Sequence, residues 1–217
     1  MRRLPVLFAV LAGCATAERP SPAAAPSRSD AELEKSLATQ VVFDPALLRP
    51  GMRAVYALRT TGAPTADRYS WAVVSADPGG LWVENRVPHI GTPMIVKSKF
   101  DRAGKVVDVW AGPPGGIPAQ LPTRPAESRP ASPPTGLRES PDRITVGGQA
   151  WAATKVVVPF RYPDGREGVV ASWYAPGVPF AASPRHGGLL RRQAGRYVLE
   201  LVEHADRGAQ PELLLPR

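Results

Sequence analysis

The sequence predicts a mainly β protein: a single curved antiparallel sheet, as a half-barrel or open barrel of about nine strands, with at most one or two short helices. The first reason is composition, because 26 prolines and 20 glycines in 217 residues interrupt the long stretches that a helical bundle would need. The second is a series of short apolar segments separated by turn signals. The third is the single cysteine, which excludes an intrachain disulfide and leaves burial and backbone pairing to hold the fold.

Segments with strand character recur at short intervals. They cover residues 53–60, 68–76, 81–87, 93–100, 105–110, 144–147, 150–160, 166–174, 188–192 and 196–204. In the second segment Tyr69, Trp71 and Val73 share one face, as the period of two in a strand requires. Glycine-containing turns at 101–104 and 163–165 are typical of hairpins. Together these features predict an antiparallel meander.

The fourth segment shows the alternation most clearly. Met94, Val96 and Phe100 fall on one face, whereas Lys97 and Lys99 fall on the other. This segment therefore predicts a strand with one apolar face and one basic face.

The amino-terminal residues have the layout of a secretory signal. Arg2 and Arg3 precede an apolar run over residues 4–11, which is too short to cross a bilayer as a helix of roughly 20 residues. The run continues into Leu-Ala-Gly-Cys, ending at Cys14. This motif resembles the lipobox of bacterial lipoproteins. The resemblance implies that residues 1–13 are a signal peptide, that the Cys14 sulfur carries diacylglycerol, and that the new amino terminus is acylated.

Such a lipid would be a permanent anchor, since each buried methylene contributes about 0.8 kcal/mol. Ala15 and Thr16 follow the cysteine, so the aspartate of the inner-membrane retention signal is missing. The resemblance therefore implies a lipid-anchored protein of the cell envelope, at the outer membrane and facing the periplasm. The alternative is an ordinary signal cleaved after Ala17, with Cys14 incidental.

Residues 14–40 are rich in alanine, proline and serine, and they carry too little apolar surface to offset the entropy of ordering. We expect a lipidated, disordered tether here. Within it, residues 30–39 fit a short helix capped by Ser29 or Asp30. The antiparallel β domain is predicted to follow at 41–207.

A proline-rich stretch interrupts this domain. Nine prolines lie within residues 112–141, which predicts a long loop without a paired strand. Residues 208–217 are predicted to be a tail. The three leucines at 213–215 either dock on an apolar groove or fray.

Basic residues outnumber acidic ones by 27 to 19, but they are scattered along the chain. No basic helix, zinc-finger spacing or RNA-binding aromatic signature accompanies them, so we expect no nucleic-acid partner. Attraction to anionic lipid headgroups or acidic cell-wall polymers would account for the charge, and so would solubility alone.

The carboxyl-terminal half carries a second resemblance, over residues 145–203. A strand ends in Trp173-Tyr174 within the run 172–179, a Gly-Leu step leads to a basic residue in 187–191, and an apolar strand closes the sheet at 197–202. This pattern resembles several uncharacterised bacterial envelope lipoproteins, which are similar to the periplasmic lipoprotein-carrier half-barrel. The resemblance implies a curved sheet whose groove can hold acyl chains.

The sequence contains little that indicates catalysis. His89, His186 and His204 lie in unrelated contexts, and none has a partner at metal-ligand spacing. A Gly-x-Ser-x-Gly elbow is missing, and no glycine pair leads into a phosphate-binding helix. We therefore expect no enzyme, no catalytic residue, no metal and no cofactor.

Five tryptophans lie in or beside predicted strands: Trp71, Trp82, Trp110, Trp151 and Trp173. On a curved sheet they either line a groove for a hydrophobic ligand or fill the core. Two functional hypotheses follow. The first is a non-catalytic binding or scaffolding module for another envelope protein, and the second is a half-barrel carrier or sensor of lipid or lipoprotein acyl chains.

Overall fold

The computed structural model describes residues 28–88, 92–123 and 136–215. The predicted signal peptide, Cys14 with the lipid anchor predicted on it, and His89 lie outside these ranges. The described residues form one α-helix, α1 (Arg28–Thr39), one 3-10 turn at Pro45–Leu47, and eleven strands. The strands are β1 (Arg53–Thr60), β2 (Ala66–Asp77), β3 (Gly80–Val87), β4 (Met94–Phe100), β5 (Val106–Gly112), β6 (Ala119–Gln120), β7 (Arg138–Val146), β8 (Gln149–Arg161), β9 (Glu167–Ala175), β10 (Gly188–Ala194) and β11 (Tyr197–Ala205).

All eleven strands belong to one open antiparallel sheet, in the order β6-β5-β4-β3-β2-β1-β11-β10-β9-β8-β7. The chain starts at the centre of the sheet and moves outward from β1 to β6, which we call the first meander. It resumes at the opposite edge and returns inward from β7 to β11, the second meander. Pairing of β1 with β11 joins the two. The predicted fold class is thus confirmed, with eleven strands in place of about nine.

The proline-rich stretch differs from the prediction because strands enter it from both sides. β6 lies within it, and β7 begins at Arg138 and includes Pro141. Pro141 lies opposite Thr154 in a strand that has a neighbour on one side only. An edge strand tolerates proline because the missing N–H is not needed for a second ladder.

Helix α1 occupies the last part of the segment predicted to be a disordered tether. It packs against β10 and β11, and Ala38, Asp30 and Glu34 are buried. Tyr162 donates a hydrogen bond of 2.7 Å to Glu34, and Arg166 forms an ion pair of 2.6 Å with Asp30. A helix of low hydrophobicity is therefore held in place largely by the partners of its two carboxylates, which the composition of the segment does not reveal.

The buried core lies against one face of the sheet. Tyr69, Trp71 and Val73 are all buried, which confirms the face predicted for them. The Trp71 ring meets the Tyr56 ring edge-on at 5.3 Å, and the Tyr56 hydroxyl donates to the Leu189 carbonyl at 3.0 Å. The same core includes residues from α1 and from two connecting segments: Ala38, Phe43, Leu48, Val178 and Phe180. The chain thus fills this face with its own side chains.

Candidate functional site

Strand register places a set of polar side chains on the opposite face of the first meander. Cross-strand partners share a face, so Arg53, Ala72, Glu84, Lys97 and Trp110 form one row across β1, β2, β3, β4 and β5. We call this surface the tail face, because the carboxyl-terminal segment of the chain lies on it. A parallel row beside it consists of Val55, Ser70, Arg86, Ile95 and Gly112.

A cavity of about 640 Å³ lies between the tail face and residues 208–212. Arg53, Arg68 and Arg86 line it, and Ser70 and Ala72 contribute small side chains. We call this cavity the arginine cleft.

The three arginines of the cleft differ in their partners. Arg53 forms an ion pair with Glu203, and Arg86 forms one of 2.6 Å with Glu212. All four side chains remain roughly half exposed. Within the described part of the chain, Arg68 has no carboxylate partner. The cleft therefore offers one uncompensated guanidinium beside two that already bind carboxylates.

Next to the cleft, Glu84 and Lys97 form an ion pair of 3.2 Å with only 5% and 8% of their side chains exposed. The Glu84 carboxylate accepts hydrogen bonds from the backbone N–H groups of Glu212 at 2.8 Å and Leu213 at 3.2 Å. The Lys97 ammonium donates to the Leu213 carbonyl at 2.8 Å. We call Glu84, Lys97 and Arg86 the tail clamp. The buried charges are thus paired with each other and with a docked peptide, which offsets their desolvation.

The docked segment also fills an apolar site. Leu213 is completely buried, and a Cβ added at Gly112 would lie 3.2 Å from its Cδ1 atom. The three leucines were expected either to dock or to fray, and the structure shows that Leu213 docks. The basic face of β4 was predicted from the sequence, but the burial of Lys97 on that face was not. The signal available was the polar alternation of β3, which places Glu84 opposite Lys97.

The five tryptophans lie in separate environments. The Trp71 side chain is buried in the core, on the face opposite the tail face, although the residue is also among those that line the arginine cleft. On the tail face, Trp82 lies within 5.8 Å of the Lys97 ammonium, and the Trp110 indole donates to Asp108 at 3.0 Å. Trp151 and Trp173 lie in the second meander. The five candidates for lining a groove are therefore not brought together at one site.

The two tryptophans of the second meander have different polar contacts. The Trp151 ring lies 6.1 Å from that of His204. The Trp173 indole donates to Asp142 at 2.8 Å, and this bond, with that from the Arg143 backbone N–H, lowers the pKa of the Asp142 carboxyl. Neither residue lines the arginine cleft.

A serine and a histidine in the loop after β9 do meet a glutamate of strand β7. The Ser183 hydroxyl lies 2.9 Å from His186 Nδ1, and His186 Nε2 lies 3.3 Å from Glu139. However, the neighbouring backbone donors are already used: His186 N–H bonds the Ser183 hydroxyl, and Gly187 N–H bonds the Ser183 carbonyl. These two N–H groups are therefore not available to stabilise an oxyanion beside the hydroxyl. The cluster instead connects the loop to edge strand β7.

Two further features are not seen among the described residues. No group of three or more His, Cys, Asp or Glu side chains is arranged to hold a metal ion there. Nor does that part of the chain contain a helix with the length and apolar character needed to cross a membrane.

No protein-family model matches this chain, and no curated protein matches it. Among solved structures, it is similar to the crystal structure of a putative exported protein with a YmcC-like fold from Bacteroides fragilis NCTC 9343. The two share 14% sequence identity with a TM-score of 0.36, over 76% of this chain and 100% of the other. A likeness at this level does not assign a function to the chain.

Proposed function

We propose that this protein is a lipid-anchored envelope protein whose β domain is a non-catalytic binding module, and that the arginine cleft receives acidic side chains of a partner protein. The observation that carries the proposal is Arg68, which lines the cleft without a carboxylate partner among the described residues. A planar guanidinium pairs well with a carboxylate, since it presents several donors in a fixed fork.

The other two arginines support carboxylates as the ligand chemistry. Arg53 and Arg86 already bind Glu203 and Glu212. Because exposed ion pairs contribute only about 0–1 kcal/mol, a partner carboxylate can replace either glutamate at little cost.

The same residues argue against catalysis in the cleft. An arginine stays protonated at neutral pH and therefore serves poorly as a general base or acid. The Ser183 cluster lies outside the cleft and its backbone donors are occupied. What the cleft can do chemically is bind and orient an anion.

The acyl-chain carrier was the other function that the sequence left open. A carrier needs an open apolar cavity, but the core face is filled by the chain and the cleft is lined by arginines. No observation favours this role, so the binding module alone is proposed.

Binding in the cleft is tested with the full mature chain and a fluorescent peptide of consecutive glutamates. We expect Arg68→Glu to weaken binding several-fold and to reduce its salt dependence. Arg102→Glu, the same charge change in the exposed β4–β5 turn, should have a much smaller effect. Equal losses in the two variants would reduce the effect to net charge and refute the cleft as the site.

The anchor is tested separately by replacing Cys14 with Ser. The variant should leave the membrane fraction, and the mass of the wild-type mature chain should exceed that of its polypeptide by the attached lipid. A variant that stays in the membrane fraction, or a wild-type chain without added mass, would remove lipidation from the proposal.

A further inference from the structure

Every main-chain polar group of Glu212 and Leu213 is hydrogen-bonded, three of the four by the tail clamp and the fourth by Gly115. Both N–H groups donate to Glu84, and the Leu213 carbonyl accepts from Lys97. The Glu212 carbonyl accepts from the Gly115 N–H at 3.4 Å. Recognition through the main chain does not depend on side-chain identity, so the same contacts are available to any extended segment.

Two side chains add selectivity to these contacts. The Leu213 side chain is fully buried, whereas that of the next residue, Leu214, is 72% exposed. The Glu212 carboxylate lies against Arg86. The clamp therefore selects an acidic residue followed directly by leucine, and leaves the chain free to continue beyond it.

The docked tail is attached to the sheet at two points with an exposed stretch between them. Ala209 is buried and its N–H donates to the Gly51 carbonyl at 3.0 Å, and Leu213 is the second point. Gln210 and Pro211, which lie between Ala209 and the clamped residues, are exposed. Glu84 and Lys97 belong to β3 and β4, so the clamp remains on the sheet when the tail leaves it.

We propose that the tail clamp is a docking site for an extended segment of a partner protein that carries an acidic residue followed by leucine, and that the tail of this chain competes for it. The inference rests on the proposed function, because Arg86 belongs both to the clamp and to the arginine cleft. It names the partner chemistry more closely: one segment places its leucine in the clamp and its other acidic residues along the cleft.

Competition by the tail predicts weak binding to the wild-type chain. A segment tethered this closely acts at an effective concentration in the millimolar range, so a free peptide must overcome that advantage. Releasing the tail should therefore strengthen peptide binding by about tenfold or more.

The probe is a fluorescent peptide with the sequence of residues 209–215, measured by anisotropy against full mature chains. Leu213→Asp releases the tail and leaves the clamp intact, so this variant should bind at least about tenfold more tightly than wild type. Adding Lys97→Met or Glu84→Leu to it should abolish that gain. A peptide in which aspartate replaces the leucine at position 213 is the matched control and should not bind.

Charge exchange provides a further test. A peptide with arginine in place of Glu212 should bind Leu213→Asp poorly, and adding Arg86→Glu should restore its binding. If Leu213→Asp proves unfolded by near-ultraviolet circular dichroism, Leu213→Ala replaces it, because it removes most of the buried side chain that holds the tail.

The decisive comparison is between a folded tail-release variant and wild type. Equal peptide binding by the two would overturn the inference. If the glutamate peptide still binds through Arg68 in that case, the cleft survives and only the clamp is refuted. If neither peptide binds, the proposed function fails as well.

Discussion

Each meander binds a segment that is not part of the sheet, and the two do so by opposite means. The second meander binds helix α1, and the first binds the docked tail. In the second meander, the charged groups belong to the bound helix. The Glu34 carboxylate of α1 accepts hydrogen bonds from the Tyr162 hydroxyl and from the Arg196 backbone N–H, the latter at 3.3 Å. In the first meander, the sheet supplies the charged side chains. Glu84 and Lys97 bind the main chain of the docked tail.

This difference separates a structural contact from the site that we propose recognises a partner. Contacts made by the side chains of α1 require the sequence of α1, so only that helix fits there. Contacts made to a main chain accept any extended segment with a suitable leucine. The first meander is therefore the part of the described chain that is suited to exchange partners, and the second is suited to stability.

The largest expected effect is a difference in the free energy of unfolding between substitutions on the core face and on the tail face of the first meander. Trp71→Ala removes a buried core ring and should lower the free energy of unfolding by about 3–5 kcal/mol. Trp82→Ala removes a partly exposed ring beside two lysines and should cost about 1 kcal/mol. Urea denaturation measures both. Similar losses would mean that the tail face contributes to stability as the core does.

A second prediction tests the attachment of α1. An added Cβ at Gly195 would lie 2.1 Å from the Glu34 carboxyl carbon, whereas one at Gly165 meets nothing within 4 Å. Both glycines have positive φ, so backbone strain should lower the free energy of unfolding by a similar amount, about 1–2 kcal/mol, in both alanine variants.

Gly195→Ala should therefore lose about 1 kcal/mol more than Gly165→Ala in urea denaturation, since it also displaces a hydrogen-bonded carboxylate. It should also expose the α1 amides to hydrogen exchange. Equal losses would show that Glu34 does not hold the helix.

A third prediction concerns the tail. Leu213→Ala removes a fully buried side chain and should cost about 2 kcal/mol, the low end for such a change, because the site is at the surface. The loss should be local, so the Leu213 amide exchanges faster while the core amides do not. Leu214→Ala is the matched control and should leave exchange unchanged. Faster exchange in the core would show that the tail is part of one cooperative unit.

The sequence predicted the sheet because its strands are local patterns. Tyr69, Trp71 and Val73 alternate within a few residues, and glycine-containing turns mark the hairpins. Only the end of β7 was predicted, within the segment 144–147; its first residues were missed because the tolerance for Pro141 depends on its position at the sheet edge. Helix α1 was predicted only as a short possibility within a tether, because its stability depends on partners far away in the sequence.

The candidate site was harder to predict for the same reason. Lys97 had the pattern of a lysine on a polar face, and its burial comes from Leu213, a residue 116 positions later. Tryptophan positions were visible in the sequence, but their environments were not. Sequence periodicity shows which face a side chain occupies and cannot show what later covers that face.

The smallest expected effect is on alkaline stability and compares one tyrosine in each meander. Burial raises the pKa of Tyr69 to about 12, and the hydrogen bond to Glu34 is the main cause that raises the pKa of Tyr162 to about 12. The folded state therefore keeps both protons above pH 10, where the unfolded chain releases them. Their contribution to stability is complete below about pH 10 and is lost as the pH rises to about 12.

Glu34→Gln should separate the two tyrosines, because it removes the charge that favours the protonated Tyr162 and leaves Tyr69 untouched. Ultraviolet absorbance titration of single Tyr→Phe variants assigns each ionisation. The pKa of Tyr162 should then fall toward its ordinary value while that of Tyr69 stays near 12. If Tyr162 titrates unchanged in Glu34→Gln, its hydrogen bond to α1 is not formed in solution, and the contrast between side-chain attachment in one meander and main-chain attachment in the other fails with it.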